Sequence, residues 1–125
     1  MQIEYIHEPT DLQCGQAVLA MILGVSTDRI VEMLGGNDRE TTLKEMKKVL
    51  TENGFVFSPQ RTEIKCREER PPLCILSLET PRCWHWSLYC DGVFYDPEHG
   101  VMDDFPESAR RYCWEITYRE EQQCR

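Results

Sequence analysis

The sequence predicts an α+β fold, with helices in the N-terminal half packed on an antiparallel sheet in the C-terminal half. Three observations carry this. Apolar residues recur at helical spacing as far as Leu50. From Phe55 onward the apolar runs are short and strand-like. Asp91-Gly92 then sits between two such runs, the strongest short hairpin signal a sequence offers. Helices first and strands second is the α+β order, since a parallel α/β sheet would alternate them.

Each element has its own signal. In the first helix, from Cys14 to Leu23, apolar residues fall at 14, 17, 18, 21, 22 and 25, one helical stripe, and Gly24 ends it. A second helix spans Thr27 to Leu34, capped by Ser26 or Thr27 and stopped by Gly35-Gly36. A third starts at Thr41 or Thr42, where Thr42 with Glu45 makes a capping box. Leu43, Met46, Val49 and Leu50 face the core and Asn53-Gly54 ends the helix. Phe55 to Phe57 is a short strand. Leu73 to Leu78 is continuously apolar, as in a strand covered on both faces. Trp84 to Cys90 and Val93 to Asp96 are the two arms of the hairpin. Pro97 to Gly100 is expected as a loop, Asp103 to Arg111 as holding one helical turn, and Tyr112 to Tyr118 as a last strand. The tail Arg119 to Arg125 is polar and expected to fray.

At 125 residues the chain has the length of a single domain, 1–125. With 14 Lys+Arg against 22 Asp+Glu the net charge is −8, and no basic stripe offsets it. Nucleic acid and anionic membrane are therefore not expected partners. The longest apolar run, Ala17 to Leu23, is 7 residues, against about 20 for a membrane span. No basic n-region opens the chain, so the expected location is the cytoplasm, where thiols stay reduced. The 7 cysteines contain no pair separated by two residues, so no zinc site is expected; Cys83, His85 and Cys90 are local but do not share one face. Five of the cysteines are expected to be small core residues. Gly35-Gly36-Asn37-Asp38 lacks the lysine of a phosphate-binding loop.

Cys14 differs from the other cysteines. It sits where the loop from Glu8 to Gln13 becomes a helix, where the dipole and the unpaired first-turn N–H groups favour thiolate over thiol and can also serve an oxyanion. The alternative is a buried cysteine on the core stripe. In a two-residue hairpin Cys90 faces Val93, Ser87 faces Asp96 and His85 faces Glu98. His85, Ser87 and Tyr89 then share a face, and His85 and Asp96 are diagonal neighbours about 7–8 Å apart at the backbone. A carboxylate there would hold the imidazole tautomer and stabilise the imidazolium. Otherwise His85 is a strand histidine and Asp96 an unrelated residue before Pro97. Together Cys14, His85 and Asp96 supply a nucleophile, a base and an orienting group. Trp84 and Trp86 flank His85 on the opposite face, either as core or, if exposed, as walls of a peptide groove. His99 is expected as a loop histidine and a weaker candidate base.

The run from Cys14 to Gly24, CGQAVLAMILG, resembles the nucleophile helix of the bacteriocin-processing, double-glycine leader peptidases of the papain-like superfamily. Leu43 to Gly54, the apolar strand Pro72 to Leu78, His85-Trp86-Ser87-Leu88-Tyr89 and Tyr95-Asp96-Pro97 fall in that family's order, so the similarity runs from about Glu8 to Gly100. The resemblance implies a papain-like fold, a peptide or protein substrate and no cofactor or metal. It implies Cys14 as nucleophile, His85 as base and Asp96 as orienting group. One departure stands out. The family carries an oxyanion-binding Gln about six residues before the nucleophile, and Glu8 occupies that place. A carboxylate opposes an oxyanion unless protonated. Gln13, ahead of His7 and Gln2, is the first candidate to donate instead, although it also fits a solvated loop residue. With no transport domain in 125 residues, the expectation is a stand-alone thiol hydrolase for peptide or isopeptide bonds. The alternatives are another cysteine-dependent acyl transferase and a papain-like binding module with weak or no catalysis.

Overall fold

The computed structural model describes residues 1–65 and 70–118. The polar tail expected to fray, Arg119 to Arg125, and the cysteines at 66 and 124 lie outside the described residues.

Three helices come first: α1 (Cys14–Leu23), α2 (Thr27–Met33) and α3 (Leu43–Glu52). The strands are β1 (Phe55–Phe57), β2 (Thr62–Glu63), β3 (Leu73–Glu79), β4 (Trp84–Cys90), β5 (Val93–Asp96), β6 (Gly100–Met102) and β7 (Arg111–Tyr118). They form one antiparallel sheet in the order β1-β7-β3-β4-β5-β6, with β2 paired to β7. The α+β architecture expected from the sequence is the one observed.

Local signals explain the helix ends. Ser26 caps α2 by accepting from the Arg29 N–H. Thr42 and Glu45 form the reciprocal capping box on α3, at 3.1 and 2.9 Å. In α1 every residue from Gly15 to Ile22 is buried, more than the single stripe of the sequence implied. A helix apolar all round is a core helix, and α1 packs between α2 and β4.

β3 lies at the centre of the sheet and has a core on each side. Ile75 faces the helices with Leu19, Met46, Leu50, Leu88 and Ile116. Cys74, Leu76 and Leu78 face a second cluster with Tyr89, Phe94, Phe105 and Cys113. This agrees with the continuous apolar run. The second cluster is closed by loop and charge, not by helix: Phe105 packs on Phe94 at 4.6 Å, and the Arg70 guanidinium lies 4.5 Å from the Tyr89 ring centre.

The β4–β5 turn is two residues long. Asp91 (φ 47°) and Gly92 (φ 92°) are both left-handed, as a type I′ turn requires. Cys90 pairs with Val93, Tyr89 with Phe94 and Leu88 with Tyr95, the register that places Ser87 opposite Asp96.

Two expectations change. Asp103 to Arg111 holds no helical turn; Phe105 and Pro106 are buried there in irregular chain. β2 and β6 were not anticipated, because two and three residues are too few to show a period. Of the described cysteines only Cys74, Cys90 and Cys113 are buried, whereas Cys83 is exposed. Cys83 precedes β4 in a bend held by Thr80, which accepts the Cys83 N–H and donates to its carbonyl.

Candidate active site

Cys14 is the first residue of α1. Gln13 stands at the N-cap without a side-chain cap bond, and the first turn holds no acidic residue. The positive end of the helix therefore bears on the thiol unopposed by a local carboxylate within the helix. The helix start lies hard against the loop before α3. A Cβ on Gly15 would stand 2.6 Å from the Thr41 Cβ and 3.2 Å from Cδ1 of Trp86, so only glycine fits. The Trp86 indole donates to the Thr41 carbonyl at 2.9 Å, and the Trp86 backbone N–H points at the Cys14 Sγ from 3.5 Å. α1 and β4 are thus joined at the thiol.

The residue before Trp86 is His85, 6% exposed. Its Nε2 lies 3.1 Å from both carboxylate oxygens of Asp96, which is fully buried. A His85 ring nitrogen and the Cys14 sulfur lie within 4.8 Å of each other. Asp96 is saturated with donors. It accepts from the Ser87 hydroxyl at 2.8 Å and from the Glu98 and His99 N–H groups at 3.0 Å, and it meets the His99 ring at 2.9 Å.

These contacts set the charges. Burial opposes ionisation of Asp96 and is the largest single influence. The hydrogen bonds and charge of His85, then His99 and Ser87, outweigh it and hold the carboxyl well below the usual carboxylate range. For His85, burial again opposes the charge. The Asp96 hydrogen bond, then the Cys14 hydrogen bond and the two negative charges, overcome it and push the imidazole up to about 10. Both shifts describe one arrangement: a cationic imidazole between a carboxylate and a sulfur.

Glu8 completes the cluster. It is 5% exposed, and its Oε1 is buried without a hydrogen-bond partner. One of its carboxyl oxygens, the Cys14 Sγ and a His85 ring nitrogen all lie within 4.8 Å of one another. Its backbone is anchored, since Glu8 N donates to the Pro97 carbonyl at 2.9 Å and the Tyr5 hydroxyl donates to the Asp96 carbonyl at 2.6 Å. Burial is the main reason its carboxyl is pushed up; Glu98 and Asp96 add to this, and His85 and His7 oppose it. Gln13 is also buried, but its Oε1 accepts from the Thr10 hydroxyl at 3.2 Å.

The two tryptophans differ from each other. Trp86 is half-buried, whereas Trp84 is 47% exposed, stacked 6.0 Å from Tyr112 with the Arg110 guanidinium 5.3 Å from its ring. Core packing, one of the two expectations for Trp84, is not where the structure puts it. Both rings line a cleft with Cys14, His85, Thr41 and Glu40. A second cleft, which shares Cys14, Glu40, Trp84 and His85 with the first, extends to Asp11, Leu12, Arg82 and Glu98, with Arg82 bridging Asp11 and Glu98 at 3.4 and 3.3 Å.

Sequence reasoning placed Ser87 opposite Asp96 but gave it no role; the alternation of the hairpin was the signal. It treated His99 as a loop residue, and the structure sets its ring on Asp96. Sulfur, imidazole and carboxyl at this spacing could also suit a metal. In the neighbouring group of His85, Asp96 and His99 the Asp96 oxygens are already engaged with the two imidazoles and the Ser87 hydroxyl. The Cys83, His85 and Cys90 group does not assemble: Cys83 is exposed, and the Cys90 thiol faces the Met1 carbonyl and Asp91 at the opposite end of β4.

No protein-family model matches this chain, and no curated protein sequence matches it. Solved structures do. The peptidase domain of Streptococcus ComA, a bifunctional ABC transporter of a quorum-sensing pathway, superposes with a TM-score of 0.60 at 16% identity, over 94% of this chain and 99% of that one. A double-glycine-motif protease from an AMS/PCAT transporter, solved with its leader peptide, gives 0.67 at 18% identity, over 94% and 92%. At such identities the likeness establishes the fold: this chain has the papain-like fold of those peptidase domains. No single helix among the described residues is long and apolar enough to cross a membrane.

Proposed function

We propose that this chain is a cysteine-dependent hydrolase of peptide or isopeptide bonds, working in the cytoplasm without a metal or cofactor. One observation carries the reading. A helix-opening cysteine and a buried histidine meet, and the histidine is held from behind by a fully buried aspartate. A structural role for these residues would not require a cationic imidazole sealed between a carboxylate and a thiol, an arrangement expensive to bury unless it is used. The fold shared with peptidase domains, one of them solved with a peptide, supports a peptide substrate.

In this reading Asp96 keeps Nε2 of His85 protonated, so that the other ring nitrogen exchanges protons with Cys14. The thiolate attacks the substrate carbonyl carbon. The C–S bond forms while the carbonyl π pair moves onto oxygen. When the adduct collapses, the C–N bond breaks, its electron pair takes the imidazolium proton, and the amine leaves. Water, deprotonated by His85, then cleaves the thioester. The clefts beside Trp84 and beside Arg82 would hold the peptide on either side of the scissile bond. The acidic side chains Asp11, Glu40 and Glu98 along them suit a neutral or basic peptide.

The test is site-resolved iodoacetamide alkylation of the native protein across pH, followed by incubation with a peptide mixture. Cys14 should react fast already near pH 6, with Cys83 as the exposed control, and Cys14→Ser should abolish cleavage. Adding an amine separates hydrolysis from acyl transfer, since only a transferase would give the amide product in place of the acid. A Cys14 that reacts no faster than Cys83, with no cleavage, would leave a binding module as the better description.

A further inference from the structure

We propose that Glu8 takes part in this reaction as a neutral carboxylic acid, whose O–H donates a hydrogen bond to the carbonyl oxygen as the Cys14 sulfur adds to the carbonyl carbon. The proposal deepens the hydrolase reading and rests on it for the reacting partner.

The geometry is that of a donor held ready. Glu8 is 95% buried by its 5% exposure, and its Oε1 has no hydrogen-bond partner. A buried polar atom left unpaired is costly and calls for a reason. One carboxyl oxygen lies within 4.8 Å of both the sulfur and an imidazole nitrogen, close enough for its O–H to be offered to an adduct formed on Cys14. The backbone of the segment is anchored by the Glu8 N–H on the Pro97 carbonyl and by Tyr5 on the Asp96 carbonyl. Among the described residues no lysine or arginine pairs with it.

The proton decides what Glu8 can do. A carboxylate only accepts hydrogen bonds, whereas the acid has one O–H to give. Burial, the largest influence, raises its carboxyl above the usual glutamate range; of the groups facing it His85 and His7 favour its ionisation, Glu98 and Asp96 oppose it, and the Cys14 sulfur lies beside it. A neutral Glu8 also avoids a third negative charge beside Asp96 and a Cys14 thiolate. In the adduct the former carbonyl π pair resides on oxygen, and the Glu8 O–H holds it without giving up its proton. On collapse the pair re-forms the C=O bond as the amine leaves with the His85 proton. As pH rises and Glu8 ionises, the donor is lost and a negative charge faces the forming oxyanion. Activity should therefore fall on the alkaline side at the titration of Glu8, a fall that a glutamine in its place would not have.

The experiment has two arms. Carbon-13 NMR of carboxyl-labelled glutamate, with Glu8→Gln assigning the signal, reads the Glu8 titration directly. Binding of N-acetylglycinal, whose aldehyde adds reversibly to a thiol, reads the oxyanion contact without turnover, in wild type, Glu8→Gln and Glu8→Ala. The Glu8 signal should titrate above the ordinary glutamate value of about 4.3. Aldehyde affinity should fall with that titration in wild type but persist in Glu8→Gln, and Glu8→Ala should weaken it about tenfold or more. Iodoacetamide alkylation of Cys14 forms no oxyanion and controls for the thiol. A Glu8 that titrates at or below the ordinary value, or a Glu8→Gln protein with the wild-type alkaline fall, overturns the role of Glu8 while normal alkylation leaves the hydrolase reading standing. Alkylation of Cys14 no faster than of Cys83 overturns both. The isosteric Glu8→Gln arm decides the matter even if Glu8→Ala does not fold.

Discussion

Gly15 and Thr41 leave no space for a methyl group between them: a Cβ on Gly15 would meet the Thr41 Cβ at 2.6 Å and its hydroxyl oxygen at 2.7 Å. Both obstructing atoms sit at the root of a short, buried side chain, so the backbone would have to move. Gly15→Ala should therefore destabilise by about 1–3 kcal/mol, even though alanine is the better helix former by about 1 kcal/mol. The urea midpoint reads this. Because Gly15 adjoins Cys14, alkylation of Cys14 should slow as well. Thr41→Gly in the same chain should recover part of the loss; a Gly15→Ala protein more stable than wild type would mean that the contact yields freely.

Removal of the His85 imidazole takes away the cation that faces the sulfur. An ordinary thiol is only a few per cent thiolate at neutral pH, so His85→Ala should slow Cys14 alkylation by up to about 30-fold. Asp96→Asn should slow it less, since the ring remains while its carboxylate partner is lost. The same substitution puts an NH2 group among the donors of Ser87, Glu98 and His99, and should cost about 1.5–3 kcal/mol of stability. Rates measured at one pH on the two variants check the order, and equal rates in wild type and His85→Ala would place the base elsewhere.

Stability should depend on pH from two sides. Asp96 is held below its ordinary value, so its contribution is present above about 3.9 and is lost as pH falls through the lower folded value. His85 is raised from about 6.5 to about 10, so its contribution is complete below about 6.5 and is lost as pH rises through about 10. The stability advantage of wild type over His85→Ala should thus be flat between about pH 4 and 6.5 and shrink on either side. Cys14→Ser removes one of the influences that raise His85, so its alkaline decline should begin at lower pH. Urea titrations at stepped pH measure both, and an advantage that grows above pH 7 would reverse the assigned charge.

Trp84 is half exposed, at 47%, and lines the cleft beside Cys14. Trp84→Ala should change stability by less than about 1 kcal/mol, as a surface substitution does. For a peptide lying in that cleft it should raise KM with kcat nearly unchanged, the mark of lost uniform binding. A fall in kcat at constant KM would tie Trp84 to the chemistry instead.

Much of this molecule was legible in one dimension. The ends of α2 and α3 follow from Ser26 and from Thr42 with Glu45, because capping is a bond between residues three apart. The hairpin register follows from Asp91-Gly92, and with it the approach of Ser87 and His85 to Asp96, because a two-residue turn admits one alternation of faces. β2 and β6 were illegible because their partners, not their own pattern, make them strands. The chain from Asp103 to Arg110 is irregular where one helical turn is expected, because nothing local shows that Phe105 is drawn under the sheet to close the second core.

The site divides along the same line. The residue types able to act, and their order, were legible in the chain itself, with Cys14 at a helix start and His85 with Asp96 on a hairpin, since helix dipoles and strand alternation are local. Long-range packing set the rest: the thiol beside the imidazole, Trp84 left in solvent, His99 on Asp96, and Glu8 near the sulfur with an unpaired oxygen. Those outcomes depend on burial and on contacts between segments distant in the chain. Desolvation, which raises the Glu8 carboxyl, and the hydrogen bonds and charges that outweigh it at His85 and Asp96 exist only once the segments have closed around them.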